Sequence, residues 1–461
     1  MMFSLAARNL LRNRRRSIST LLALGLGSVA VLLFGGYSAN IKYSMQTAYV
    51  RSGGHLQIQH KDFYLYGSGN PTAYGIDDYD SLIRDIKEDP LLKASVSIVT
   101  PILQFGGVAG NYAERVSRTV ICKGFVAKDV NSMRAWNEFD IPLGSRRLAL
   151  EGASSDSAIV GVGLARVLRL CEPLGIRACP TPDAGNGSAG PALPNDLVAL
   201  SGIDNPTVLT SGLATIELLV SKSSGAPNVA ALKVIQAEGQ GFKELDEIAV
   251  ILQFEQAQQL LFGRSSPKAS AIMVQLQHGS QAIDAADRLT ALLSTKAPRQ
   301  RLAVLDFELL NPFYVQTLQL FDAIFGFIFT LIGAIVLFTV SNTMNTAVIE
   351  RTTEIGTLRA MGLRRSGIRL LFVTEGMLLG TLGALGGAAL ALIIAGIVNQ
   401  LNLTWLPPGS SESLPLILRV WNEKQMLIGT TAGLILISAL SAWFPAYRAA
   451  NLTVVDSLRH T

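Results

Sequence analysis

The feature that most constrains the fold is a run of 27 residues, 323–349, without a single charged side chain. As an α-helix this run would be about 40 Å long at about 1.5 Å per residue, whereas the hydrocarbon core of a bilayer is about 30 Å thick. Three further uncharged runs, 17–41, 376–399 and 426–447, are also long enough to cross a membrane. The sequence therefore predicts four transmembrane helices, the second of which extends beyond the bilayer as a stalk.

The rest of the chain is typical of a water-soluble domain. Of 461 residues, 49% are hydrophobic and 16% are charged, against about 25% charged in soluble proteins. Residues 42–315 contain no spanning run, and local patterns predict strands at 56–59, 119–121 and 271–276 and a helix at 77–87. We therefore predict an α-helical membrane protein with four transmembrane helices plus a large α/β extracytoplasmic (periplasmic) domain inserted between helices 1 and 2.

Arginines flank the apolar runs on one side of this predicted topology. Five lie in residues 1–16, five in the loop 350–369 and two after residue 447. Because cytoplasmic loops carry an excess of Arg and Lys, both termini are predicted to be cytoplasmic, and the loop 400–422 is predicted to be periplasmic with the large domain. The arginines follow the spans rather than forming a binding stripe, so the net charge of +5 does not indicate a nucleic-acid partner.

These patterns divide the chain into nine segments. A cleaved signal peptide is the alternative interpretation of the leader, but its apolar part is too long and lacks a cleavage site of small residues. The predicted segments are a cytoplasmic amphipathic entry helix (1–16), transmembrane helix 1 (17–41), a periplasmic domain (42–315), a stalk with transmembrane helix 2 (316–349), a cytoplasmic coupling helix and loop (350–369), transmembrane helix 3 (370–399), a periplasmic loop (400–422), transmembrane helix 4 (423–447) and a cytoplasmic tail (448–461).

Motifs of catalysis and metal binding are missing from the sequence. Three cysteines and four histidines form neither Cys-x-x-Cys nor His-Glu-x-x-His, and without a Gly-Lys dipeptide there is no phosphate-binding P-loop. We predict no catalytic, cofactor-binding or metal site, so the chain is not an enzyme and a partner supplies the energy. Cys171 and Cys179 are compatible with a disulfide or with two free thiols. Residues 179–196 are predicted to be an inserted loop.

The third and fourth predicted spans carry two features with alternative interpretations. Small residues at four-residue steps let helices approach closely within or between subunits, although membrane helices are rich in glycine generally. Glu375 lies at the entrance of the third span near Arg369, which favours an interfacial ion pair over the buried carboxylate of a proton pathway. The candidate packing residues are Gly376, Gly380, Gly383, Gly387, Gly429 and Gly433.

A polar stretch at 350–362, named here the coupling segment, separates the second and third predicted spans. Apolar residues recur in it at three-residue steps between charged residues and two glycines, which predicts a short amphipathic helix. Such a helix is suited to dock an ATPase subunit, and a solvated connector is the alternative. The candidate coupling residues are Glu350, Arg351, Glu354, Ile355, Gly356, Leu358, Arg359, Met361 and Gly362.

Several stretches resemble the FtsX-like, MacB-type permease family of ABC transporters. The coupling segment is the most specific match, because it resembles the family's Glu-Arg-x-x-Glu-Ile-Gly-x-Leu-Arg-Ala-x-Gly motif. Thr453 departs from the family pattern, which usually has proline there. Weaker matches occur at 160–166 and 242–261. The stronger matching stretches are residues 7–16, 350–362, 375–376, 444–450 and 454–459.

The resemblance implies a multi-pass permease of the bacterial inner membrane that works as a dimer with an identical or homologous permease. Two copies of an ABC ATPase subunit would bind ATP and Mg and receive Ile355, Leu358 and Met361 in a cleft. Membrane lipids and a periplasmic adaptor or lipoprotein carrier are further implied partners. The expected work, done through a MacB-like periplasmic domain, is release of lipoprotein or lipid-linked cargo, as in lipoprotein-releasing permeases. The alternatives are MacB-like efflux with an adaptor and an FtsX-type signalling scaffold that controls a cell-wall hydrolase.

Overall fold

The computed structural model describes residues 2–12, 14–67, 73–144, 146–176, 214–263, 266–405 and 413–452. The helices of these residues are α1 (Met2–Arg12), α2 (Arg14–Gly53), α3 (Phe63–Tyr66), α4 (Tyr79–Glu88), α5 (Ala127–Arg134), α6 (Val162–Val167), α7 (Cys171–Leu174), α8 (Lys243–Asp246), α9 (Phe254–Phe262), α10 (Ala282–Lys296), α11 (Phe307–Leu310), α12 (Pro312–Glu350), α13 (Thr352–Ala360), α14 (Arg365–Gln400) and α15 (Lys424–Ala450). The strands are β1 (Leu56–His60), β2 (Val96–Asn111), β3 (Val116–Phe125), β4 (Ser157–Gly161), β5 (Ala214–Ser221), β6 (Pro227–Glu238), β7 (Ala249–Gln253), β8 (Ala271–Leu276), β9 (Leu302–Asp306), β10 (Thr404–Trp405) and β11 (Leu414–Pro415).

The chain divides into two compact units. The helical unit comprises Met1–Gln46, Pro312–Trp405 and Pro415–Thr461, and the sheet unit comprises Thr47–Asn311 and Leu406–Leu414. Each unit has its own hydrophobic core.

Four helices within the described residues, α2, α12, α14 and α15, are long and apolar enough to cross a membrane, which confirms the predicted number. The helix α2 has 40 residues and is longer than the sequence suggested. Its uncharged run ends at Ile41, but Lys42 is a good helix former and does not stop the helix. The helix ends where Gly54 adopts a φ of +77°, the left-handed conformation typical of a residue that follows a helix.

The helical unit has a buried seam and an apolar exterior. Val340, Phe372 and Leu434, on three different helices, meet in its core. Large side chains on the outside, such as Phe338 of α12 and Leu436 of α15, are exposed. An apolar exterior on helices of this length is what a lipid environment requires.

Hydroxyl groups also link these helices. The Thr20 and Thr343 hydroxyls lie 2.8 Å apart, and the Ser438 hydroxyl donates to the Gly376 carbonyl at 2.8 Å. Hydrogen bonds of this kind satisfy polar groups that have no access to water.

The sheet unit is built on one nine-stranded sheet of the described residues, in the order β3-β7-β4-β6-β5-β2-β8-β1-β9. Strand β3 also pairs with β2 over Ile102–Asn111, so six of the strands close into a ring. Alternate residues of β5, including Ile216 and Leu218, point into the core of this ring, and α9 contacts five of its strands. Strands β8, β1 and β9 continue the sheet beyond the ring.

Local predictions for this unit hold at several positions. The strand predicted at 271–276 is β8, the alternation at 56–59 is β1, and the helix at 77–87 is α4. Strand β2 was not predicted, because its 16 residues contain Pro101 and three glycines and both residue types are unusual within strands.

The cysteines of the sheet unit lie in different environments. Cys122 is a free thiol inside the ring, and its complete burial raises its pKa. Cys171, in α7, is disulfide-bonded. Cys179 and the loop predicted at 179–196 lie outside the described residues.

His55, just before β1, is hydrogen-bonded to both β8 and α11. Its N–H donates to Val274 and its carbonyl accepts from Phe307, each at 3.0 Å. Its side chain is 1% exposed, accepts from the Leu276 N–H at 3.0 Å through Nδ1 and meets the Trp136 ring edge-on. Burial lowers the pKa of His55 from its ordinary 6.5 to about 4, because the imidazolium form would lose its hydration.

We expect the stability of the chain to fall between pH 6.5 and pH 4 because of His55. In this window the unfolded state binds a proton that the folded state excludes, so the contribution of His55 is complete above pH 6.5 and is lost on acidification. The contribution of His55 to the free energy of unfolding is about 3 kcal/mol, at about 1.4 kcal/mol per pKa unit. Thermal unfolding of the purified chain in detergent at pH 7 and pH 5 should show a smaller difference for His55→Gln than for the unmodified chain. The exposed His278 provides the matched control, His278→Gln, and equal pH sensitivity of all three proteins would contradict the prediction.

Candidate coupling site

The coupling segment folds as the short helix α13 between two breaks. At its start the Thr352 hydroxyl donates to the Ile349 carbonyl at 2.8 Å. At its end Gly362 has a φ of +94°, its N–H donates to Arg359 at 3.0 Å, and the Leu363 N–H donates to Leu358 at 3.1 Å. These two bonds form a Schellman motif, which favours glycine at this position. Gly362 therefore sets the direction in which the chain enters α14.

The apolar residues of the segment do not share one face. Ile355 is 3% exposed and packs with Ile368 and Phe372 in the core, whereas Leu358 is half-buried and Met361 is 72% exposed. Residues six apart in a helix are about 120° apart around its axis, which explains why Ile355 and Met361 diverge. Ile355 therefore belongs to the chain's own core, and only Leu358 and Met361 present apolar surface.

Five side chains form a closed polar ring around the buried end of the segment. On α1, Arg12 donates to Glu354 at 2.5 Å and the Asn9 amide donates to Glu375. On the segment, Arg351 donates to Glu375 at 3.0 Å, and its Nε lies 3.8 Å from Glu354. The contacts thus run from Asn9 through Glu375, Arg351 and Glu354 to Arg12 and return to α1. We call this set the polar ring.

The polar ring corrects the interpretation of Glu375. Its ion-pair partner is Arg351 rather than Arg369, and it is buried rather than interfacial, with 2% of its surface exposed. Arg369 and Glu375 are six residues apart on α14 and so lie on different faces. The sequence could not show this pair, because Arg351 precedes α13 and Glu375 lies in α14, and a contact between separate elements leaves no local pattern.

The remaining charged residues of the segment contact the start of α2 and the end of α15. Arg16, early in α2, pairs with Glu350, and Arg359 donates to the carbonyl of Leu452, just after α15. Gly356 is buried. The structure therefore brings these charged residues of the segment into contact with four other helices or helix ends, α1, α2, α14 and the end of α15. The residues concerned are Glu350, Arg351, Glu354 and Arg359.

The glycines of α14 face two neighbours instead of one. A Cβ on Gly380 would lie 2.5 Å from Ser438 of α15, and one on Gly376 would also meet α15, at Ala442. A Cβ on Gly383 would lie 2.5 Å from Leu24 of α2, and Gly387 also faces α2. These close approaches occur within one chain, which answers the question that the sequence left open for these four positions.

The two glycines of α15 differ from each other. A Cβ on Gly433 would lie 2.9 Å from the Phe329 ring of α12, so this position is in close contact. Gly429 has nothing within 4 Å of such a Cβ. Of these two glycines, Gly433 is therefore the one that packs closely against another helix of the chain.

The charged residues of the coupling segment have partners within the chain, and Met361 is an exposed apolar side chain beside them. Across the described part of the chain no group of three or more His, Cys, Asp or Glu residues could hold a metal ion.

Comparisons with known proteins match this end of the chain. Residues 323–454 match the family model described as FtsX-like permease C-terminal. The chain is 27% identical over 163 residues to the lipoprotein-releasing system transmembrane protein LolC of Haemophilus influenzae, covering 35% of this chain and 39% of LolC. It is 32% identical over 197 residues to the macrolide export ATP-binding/permease protein MacB of Escherichia coli K12, covering 41% of this chain and 27% of MacB. The chain thus spans less than half of either relative.

A fold comparison gives a weaker likeness. The crystal structure of the periplasmic region of MacB from Actinobacillus actinomycetemcomitans aligns with 56% of this chain and 92% of its own, with 11% identity and a TM-score of 0.31. These values are too low to assign a function or a partner.

Proposed function

We propose that the chain is the membrane permease subunit of an ABC transporter, because residues 323–454 match the model of the FtsX-like permease C-terminal region and the chain is similar to LolC and MacB. Two copies of a separate ATPase subunit bind ATP and Mg, and a second permease completes the complex. The chain lies in the bacterial inner membrane with both termini in the cytoplasm, and the sheet unit works in the periplasm.

The observation that carries this proposal is the construction of the coupling segment. A helix of nine residues is held by the polar ring, with the half-buried Leu358 near its end and the exposed Met361 directly after it. A half-buried leucine beside an exposed methionine, at the end of a firmly held helix, suits docking into a partner's groove. Because the segment lies within the matched family region, the partner that fits it best is the ATPase of an ABC transporter.

For the cargo, we propose a lipoprotein or another lipid-linked molecule, which the complex extracts from the inner membrane. The name of the relative LolC supports this choice. The name of MacB supports export of a smaller compound as the second candidate, for which we propose a periplasmic adaptor as the further partner. Reconstituted complex with its ATPase should release a fluorescent triacylated lipoprotein from proteoliposomes in an ATP-dependent manner. If the lipoprotein is not released but a macrolide is transported in an ATP-dependent manner, the second candidate would be favoured.

We expect Leu358→Asp combined with Met361→Asp to abolish binding of the ATPase subunit while the chain remains in the membrane. Two carboxylates would have to be buried unpaired in the partner's groove, which is strongly unfavourable. The measurement is quantitative mass spectrometry of ABC ATPase peptides that co-purify with the tagged chain from its native cells.

The matched control is Ser366→Asp, which adds a carboxylate at an exposed position in the first turn of α14. This variant should keep its ATPase. Ile355→Asp should instead lower the amount of folded chain, because Ile355 is in the core. Undiminished co-purification with the double variant would refute the docking proposal.

A further inference from the structure

We propose that the amino-terminal helix α1 is a working part of the coupling device, and that Glu375 is the positioning residue that locks α1, α13 and α14 into one rigid body. This inference rests on the proposed function, since it concerns how a push on the coupling segment is distributed. It assigns a role to Asn9, Arg12 and Glu375, none of which lies in the segment itself.

The first step is the geometry of the short helix. α13 has nine residues and is bounded by Arg351, which has non-helical dihedral angles, and by Gly362, with its positive φ. A helix of this length with a break at each end can rotate by itself unless other contacts hold it. A push on Leu358 and Met361 would then be absorbed locally instead of reaching the long helices.

The second step is that the polar ring supplies the missing contacts. Asn9 and Arg12 are three residues apart, so they lie on one face of α1. From this face Asn9 reaches Glu375 on α14, while Arg12 reaches Glu354 on α13. Arg351 closes the ring by touching both carboxylates. Each of the three helices is therefore linked to the other two.

The third step is that the ring resists opening. Arg351 is 7% exposed and Glu375 is 2% exposed, so separating them would leave two uncompensated charges in an apolar environment. The exposed pair Arg12–Glu354 is weaker because water screens it. The contact of Glu375 with Arg351 is thus the strongest in the ring, and the contact of Arg12 with Glu354 is the easiest to break.

The fourth step is that α1 is also held by contacts outside the polar ring. Ala6 is fully buried, Leu10 packs against the core of the helical unit, and the Ser17 hydroxyl donates to the Leu10 carbonyl at 3.1 Å. A displacement of α13 is therefore delivered to α14 and, through α1, to the start of α2. Neither path requires a charged group in the middle of a membrane span.

The test measures whether α1 and α14 keep a fixed distance. Nitroxide labels are placed on non-natural amino acids at Leu5 of α1 and Ser366 of α14, both exposed and outside the coupling segment. Double electron–electron resonance on the chain alone in nanodiscs should give one narrow distance. Asn9→Ala combined with Arg12→Gln removes both contacts from α1 without touching the buried pair, and the narrow distance should be lost. The conservative variant Arg12→Lys alone should retain it.

The same labels then report on the complex with its ATPase. Trapping the complex with ATP and vanadate should leave the Leu5–Ser366 distance unchanged in the unmodified chain. The Asn9→Ala/Arg12→Gln variant should keep its ATPase subunit, and its complex should hydrolyse ATP without releasing cargo. A narrow distance in this variant, or a distance that shifts with ATP in the unmodified chain, would overturn the inference. Absence of any bound ATPase would instead count against the proposed function and leave the measurement on the chain alone decisive for the ring.

Discussion

Gly387→Leu is expected to prevent the helical unit from assembling, whereas Gly386→Leu, one residue earlier, is expected to be tolerated. A Cβ on Gly387 would lie 2.5 Å from the Gly25 carbonyl oxygen and 2.6 Å from the Ser28 Cβ, both on α2. Backbone atoms of a neighbouring helix cannot move aside as a flexible side chain can. The remaining atoms of leucine would therefore force α14 and α2 apart and break the hydrogen bond from Ser28 to Ala384.

Gly386 provides a close control, because a Cβ there has no neighbour within 4 Å. The two variants have the same composition, hydropathy and helix propensity, so only the site of the leucine differs. Fluorescence-detected size-exclusion chromatography of membrane extracts should show a monodisperse peak for Gly386→Leu and aggregate or no peak for Gly387→Leu. Equal profiles would show that the approach of α14 to α2 does not limit assembly.

This pair of glycines illustrates what one sequence can reveal. Four spans were predictable because crossing a bilayer depends on a local property, the length of an uncharged run. The candidates for close packing were visible for a similar reason, since small residues recur at helical spacing. Which neighbour each one meets was not visible, because Gly380 faces α15 and Gly383 faces α2 although only three residues separate them.

The coupling segment shows the same limit more sharply. Its helix, its charges and its terminal glycine follow from local spacing. Asn9 and Glu375, in contrast, are 366 residues apart, and nothing in a single sequence marks them as partners. The burial of Ile355 was also hidden, because a three-residue spacing does not distinguish a face that packs inward from one that faces a partner.

In the sheet unit, strands with local alternation were predictable and their arrangement was not. β1 was recognisable from the alternation of Leu56-Gln57-Ile58-Gln59. The closure of the ring depends on β7 pairing in parallel with β3 and antiparallel with β4, across long stretches of chain. Such pairings are set by the burial of the whole core rather than by any one strand.

Arg351→Met is the second change with a large expected effect, a loss of about 3 to 5 kcal/mol in the free energy of unfolding. It would leave the buried Glu375 with only the Asn9 amide among the contacts of the polar ring. A buried carboxylate without its cation is costly even when one hydrogen bond remains. The exposed arm of the ring is the control, because Arg12→Met should cost about 1 kcal/mol or less. Unfolding of the purified chain by SDS titration in mixed micelles measures both.

The double variant Arg351→Met/Glu375→Met separates stability from positioning. Replacing both charges of a buried pair with apolar side chains of similar volume is often neutral or stabilising, so the double variant should recover most of the stability lost by Arg351→Met. It cannot recover the acceptor of the Asn9 amide or the link between α1 and α14. A chain as stable as the original that binds its ATPase but no longer couples hydrolysis to cargo release is therefore the expected outcome. If the double variant is as unstable as Arg351→Met, the polar ring is needed for folding itself. If the double variant still couples ATP hydrolysis fully to cargo release, the packing around Ile368 and Phe372 is sufficient to transmit the movement of the coupling segment.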